Sequence, residues 1–191
     1  MQMPVISRPH EPALFARTPG MERHRVAPGG LTVVALEPGD RIEVIDIEGD
    51  QHAELLAFTE DGREALAALG LQPSPGADFI ARLLSDGSRE SQHVVSGLRK
   101  RHIDPRHLPT AAWLWQPGTP AGFSRSLTAS AALLVIVAAP GGSVAVDSQQ
   151  RASELRLIIQ RANPSSLLIP SLPAPLGEVV DEFTIAPGTA H

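Results

Sequence analysis

An α+β fold, with an antiparallel β-sandwich or small barrel carrying a helical insert, is the class this sequence predicts, and three observations carry it. β-branched runs at Leu31–Leu36 and 41–47 flank Pro38-Gly39-Asp40, and a third run at 51–58 follows Glu48-Gly49-Asp50. Pro presets one turn dihedral and Gly frees the next, so the three runs read as an antiparallel meander. From 61 to 102 the apolar spacing turns helical, and from Trp113 the strand pattern returns.

Within the second run, Ile42 and Val44 share one face while Ile45 and Ile47 occupy the other. That switch predicts a bulge or a strand buried on both faces. In the insert, Asp61 with Glu64 opens a short helix that Gly70 closes, Asp78 opens a second with Phe79, Ile80, Leu83 and Leu84 inward, and Ser88 or Ser91 starts a third. The third carries Val94, Val95 and Leu98 inward and Arg99-Lys100-Arg101 in its last turn, where cations suit the helix dipole. Trp113-Leu114-Trp115 reads as a strand with both indoles on one face. Leu133–Ala138 reads as a buried strand, and 154–161 alternates Leu155, Leu157 and Ile159 against Glu154, Arg156 and Gln160.

Residues 1–23, with prolines at 4, 9, 12 and 19, read as an extended arm, residues 24–162 as the β-rich domain with its insert at 61–102, and residues 163–191 as a Pro-rich linker. Near the end, Ile185-Ala-Pro-Gly188 repeats the Val26-Ala-Pro-Gly29 lead-in, as the start of a possible second repeat would.

The formal net charge of -5 argues against a nucleic-acid partner. With no cysteine, disulfides, thiolate metal sites and cysteine nucleophiles are excluded, and a reducing cytoplasm is the simplest compartment. The longest apolar run, 131–139, is too short to span a bilayer, so no membrane role is expected. Serines 124, 126, 130 and 143 lack a nucleophile elbow, and no Gly-rich phosphate loop opens a helix.

Two groups of residues remain as candidate sites. Asp46, Gly49, Asp50 and Gln51 stand at a strand end, where they either bind a polar ligand or simply make a turn. His52 and Glu54, two apart on a strand, can present ligands to one metal, with a third from His24, His93, His102 or His107, or can be surface polar residues. The basic cluster of Arg99, Lys100, Arg101, His102, Arg106 and His107 reads as a solvated helix end, with phosphate or a polyglutamyl tail as the alternative contact.

The block Ala-Pro-Gly-Gly30, Glu37-Pro-Gly-Asp40 and Asp46-Ile-Glu-Gly-Asp-Gln51 resembles the opening of the urea-carboxylase-associated domain family of unknown function. More narrowly, it resembles the degenerate amino-terminal copy in long bacterial proteins that end in an aminomethyltransferase of the glycine-cleavage T-protein type. The resemblance implies a non-catalytic domain with a docking or ligand-shaping role in one-carbon or N-methyl amine metabolism. Its partners would be downstream domains of the same polypeptide or a homo-oligomer, and tetrahydrofolate would bind outside this chain. Fuller family members carry a Cys- and His-containing motif that this chain lacks, which puts a resident metal in doubt. The alternatives are a small cupin-like metal-dependent enzyme using His52 and Glu54, and a small-molecule-binding module using Asp46 and Gln51.

Overall fold

Two four-stranded antiparallel sheets and a helical layer make up the computed structural model, which describes residues 20–116, 118–140 and 153–163. In chain order the elements are β1 (Met21–Val26), β2 (Leu31–Leu36), β3 (Arg41–Asp46), β4 (Ala53–Phe58), a 3-10 turn (Leu66–Leu69), α1 (Phe79–Ser85), α2 (Arg89–Arg99), β5 (Ala112–Trp115), β6 (Ser124–Thr128), β7 (Leu133–Ala138) and β8 (Leu155–Gln160). One sheet has the order β1-β8-β3-β6 and the other β2-β7-β4-β5. The α+β sandwich class predicted from the sequence is the class observed. Among the described residues no helix is long and apolar enough to cross a membrane.

The meander is not formed. β2 pairs with β7, β3 with β6 and β8, and β4 with β5 and β7, so β2, β3 and β4 lie alternately in opposite sheets. The turns at 37–40 and 47–52 therefore arch from sheet to sheet instead of closing hairpins. Apolar faces explain the choice: Val34 and Leu36 on β2 and Ile42 and Val44 on β3 point at one another across the sandwich core, with Leu55 and Ala57 of β4. Pairing them side by side would leave the opposite layer unfilled. Each fully buried Leu or Ile contributes roughly 1.5–3 kcal/mol.

β3 is a central strand with Ile42, Val44 and Asp46 inward and Ile45 half-buried on the outer side. Val135, Val137, Leu155, Leu157 and Ile159 complete the core between the sheets. A second apolar layer lies beyond β4 and β7, where Leu56, Phe58 and Ile136 meet Ile80, Leu84, Val94 and Leu98 of α1 and α2. The alternation expected for 154–161 is the one found on β8.

Four local expectations change. Residues 21–23, assigned to the extended arm, form the first half of β1, while residues 1–19 lie outside the described residues. Asp61 pairs with Arg63 instead of starting a helix, and the Glu64 carboxylate accepts the Leu66 N–H at 2.6 Å. Asp78 occupies the N-cap position of α1 but makes no side-chain cap, whereas Ser88 does cap α2, accepting from the Ser91 N–H. The two tryptophans face opposite ways: a register shift between Ala53 and Glu54 sets Ala53 opposite Trp115 and Glu54 opposite Trp113. That bulge sends Leu114 and Trp115 into the sandwich core and Trp113 toward the helices. The Pro-rich stretch 164–191, including the 185–188 repeat, lies outside the described residues, as does Ser143.

Gly49 shows how tightly the second arch is packed. It has φ +85°, and an added Cβ would stand 2.6 Å from the Ala121 nitrogen and 2.9 Å from the Thr119 carbonyl oxygen. Gly29 has φ +67° with nothing within 4 Å of a Cβ. Gly49→Ala should lower unfolding stability by about 3 kcal/mol or more and Gly29→Ala by only about 1–2 kcal/mol, read from urea midpoints at equal slope. Equal losses would show that the close approach of the 119–121 segment is absent in solution.

Candidate functional site

Asp46, Gly49, Asp50 and Gln51 converge as the sequence suggested, and they hold the protein's own backbone. Asp46 is fully buried at the end of β3. Its Oδ1 accepts from the Gly49 N–H at 2.8 Å and from Gln51 Nε2 at 3.3 Å, and its Oδ2 accepts from Thr119 Oγ1 at 3.2 Å. Gln51, 2% exposed, donates through Nε2 to the Glu154 carbonyl and accepts the Ser153 N–H at Oε1. Its own carbonyl accepts from Trp115 Nε1 at 2.8 Å. Asp50 sits at φ +58°, accepts the Gly118 N–H at 2.8 Å and donates its N–H to the Thr119 carbonyl. These residues tie the second arch, the 118–120 segment and the start of β8 together, so the strand-end polarity is accounted for by internal hydrogen bonds.

His52 and Glu54 lie near each other without forming a shared ligand set. Glu54 is fully buried, and its two carboxylate oxygens accept the N–H groups of Phe79 and Ile80, each at 2.9 Å. The carboxylate thus caps α1 from a neighbouring strand, doing what the Asp78 side chain does not. A seven-residue helix cannot hold itself in water, and its free N-terminal N–H groups favour an anion. Burial pushes the Glu54 pKa up, and the two N–H groups offset only part of that.

His52 stacks on Trp113 with ring centroids 4.6 Å apart, and burial pushes its pKa down against the opposing charge of Asp50. Its Nδ1 is buried and makes no hydrogen bond. The candidate third ligands do not join them: His24 bonds Glu22 at 3.2 Å, His107 bonds Asp104 at 2.9 Å, and His93 and His102 are exposed on and after α2. Among the described residues no group of three or more His, Cys, Asp or Glu could hold a metal ion. The basic residues 99–102 and 106–107 are all exposed, as expected of a solvated helix end.

A cluster that the sequence did not single out surrounds Arg161, just beyond β8. Its guanidinium donates to Glu22 at 2.7 Å, to Asp40 at 2.6 Å and to the Ala35 carbonyl at 2.9 Å. Asp40, 1% exposed, also accepts the N–H groups of Glu37 and Ala162 at 2.9 Å each. The sequence carries no local signal for it, because Glu22, Asp40 and Arg161 stand in three separate segments. Two concavities were likewise invisible. One of about 390 Å3 lies between α2 and β2, lined by Val33, Val94, Gly97, Leu98, Leu134, His93 and Arg101. The other, of about 400 Å3, opens on the outer face of β1 and β8.

The class defined by this geometry is a two-sheet sandwich domain with one helical flank, whose buried carboxylates at Asp40, Asp46 and Glu54 are engaged internally. Over 181 residues the chain is 31% identical to the trimethylamine-oxide aldolase of Ruegeria pomeroyi. That match takes in 95% of this chain but only 23% of the relative, so the chain spans about a quarter of the length of the protein it resembles. No protein-family model matches the sequence. A crystal structure of a DUF1989 family protein from Silicibacter pomeroyi aligns over 85% of this chain and 86% of its own, with 14% identity and a TM-score of 0.41. Superposition at that level supports no inference of kinship.

The Arg161 cluster predicts an acid dependence. The hydrogen bond with His24 and the pairing with Arg161 outweigh burial and hold Glu22 at about 2, against an ordinary 4.5. For Asp40, burial is likewise outweighed by the Glu37 and Ala162 N–H groups and by Arg161, and its pKa is lowered. A lowered folded pKa gives stability that is fully present above the unfolded value and lost as pH falls toward the folded one. Arg161→Met should destabilise the protein at neutral pH and flatten the decline in urea midpoint between pH 4.5 and about 2. An unchanged slope would mean that the cluster does not persist in solution.

Proposed function

We propose that this chain is a non-catalytic domain of an enzyme of N-methyl amine metabolism, docking onto or shaping the part of the protein that carries the chemistry. The match of nearly the whole chain to under a quarter of a trimethylamine-oxide aldolase carries the reading. Three buried carboxyl groups that would be candidates for acid or base work accept hydrogen bonds from the chain's own N–H donors, which favours an architectural role. On this reading the partners are further domains of the same polypeptide or other copies of the chain. Tetrahydrofolate, if the enzyme has an aminomethyltransferase-like part, binds there and not here. The urea-carboxylase association rests on the turn motifs alone.

The reading is tested by replacing the matched segment of the Ruegeria pomeroyi enzyme with this chain and following trimethylamine oxide by proton NMR. The hybrid should consume it, and Asp46→Asn within the hybrid should lower its melting temperature while kcat well below melting stays within about twofold, since a hydrogen-bonding loss in a knot acts on stability. The isolated chain, with or without added zinc, manganese or iron, should consume none. Turnover by the isolated chain that disappears in His52→Ala would contradict the proposal and place the chemistry at His52 and Glu54.

A further inference from the structure

Among the described residues no helix covers the outer face of the β1-β8-β3-β6 sheet, and at its β1 and β8 end the arginines are arranged in an unusual way. The concavity of about 400 Å3 there is lined by Arg23, His24, Arg25, Glu154 and Arg156. Arg25 and Arg156 are directly opposite each other in the antiparallel β1-β8 register, and Arg23 is two residues along β1 on the same face. Like charges directly opposed across strands are destabilising.

The neighbours do not neutralise them. Arg25 is bonded to the Glu154 carboxylate, but Arg23 and Arg156 have no ion pair or hydrogen-bonded acid among the described residues. The other strand next to β8 sets Ile45 opposite Arg156, and Glu43, which faces Ile158, accepts from the Ser124 hydroxyl. Charges on an edge strand often guard against unwanted pairing, and β1 is an edge. Arg156 is on β8, between β1 and β3, where no edge needs guarding. Among the described residues, three guanidinium groups thus face one carboxylate in a shallow cavity of a chain whose net charge is -5.

We propose that this cavity binds a small multivalent oxyanion, a molecule with two or more phosphate or carboxylate groups, bridging Arg156 to Arg23 and Arg25. Guanidinium groups bind both kinds of oxyanion through paired N–H donors, and a bridging anion converts the Arg25-Arg156 repulsion into shared attraction. This site is independent of the docking role.

Titration calorimetry of the 191-residue chain at constant ionic strength, with inorganic pyrophosphate and separately with citrate, tests it. At least one probe should bind saturably at one site, and the tighter of the two assigns a phosphate or a carboxylate source. Arg156→Gln should weaken binding about tenfold or more, the loss of a charged hydrogen-bonded contact. Arg41→Gln, on the same sheet face but bonded to Ser126, should leave it unchanged. Absence of saturable binding, an unaltered affinity in Arg156→Gln, or equal weakening by both substitutions overturns the proposal.

Discussion

Three carboxylates at the ends of successive segments, Asp40 before β3, Asp46 at its end and Glu54 on β4, are each at most 1% exposed, and each accepts backbone N–H groups. An ionised carboxylate removed from water is costly unless its oxygens are satisfied. Here the donors come from parts of the chain distant in sequence: Ala162 for Asp40, Thr119 for Asp46, Phe79 and Ile80 for Glu54. Satisfying these three groups fixes where each arch crosses between sheets and where the helical flank sits on β4 and β7. The aliphatic core supplies the driving force but is tolerant of small shifts. The carboxylates are not, since a half-satisfied buried charge is worse than none.

Strand positions were legible because period-two alternation is a local property. The run at Leu133–Ala138 and the alternating Leu155, Leu157 and Ile159 are found as read. Pairing was not legible. A Pro-Gly-Asp turn fits a hairpin or an arch equally well, and only the fill of the opposite layer decides. β6, with Leu127 as its one buried apolar residue, has too little pattern to register, and the first half of β1, residues 21–23, reads as part of the arm. The bulge opposite Trp113 and Trp115 left no mark in either strand's own composition.

The same division holds for the candidate site. Asp46, Gly49, Asp50 and Gln51 could be grouped because they are neighbours in sequence, whereas most of the groups they bond, at Gly118, Thr119, Ser153 and Glu154, are distant and gave no signal. Glu54 was misleading: as one of two alternating polar residues it suggested a metal pair, while its partners lie on α1, 25 and 26 residues away. Arg161 and Asp40, 121 residues apart, gave no joint signal at all. Short-range polar motifs thus report the arches, whereas the features that could meet a partner or ligand, the groove beside α2 and the arginine face of β1 and β8, are assembled only by the fold.

Amide hydrogen exchange at Phe79 and Ile80 tests most directly whether the buried carboxylates hold the backbone. First-turn amides of a helix this short have no partner within the helix and exchange rapidly when uncapped. With the Glu54 carboxylate accepting both, they should be protected as strongly as the amides of β4 and β7, with and without added divalent metal. Exchange at unstructured rates, or protection that appears only on adding metal, would contradict the claim and return Glu54 to a ligand-binding role.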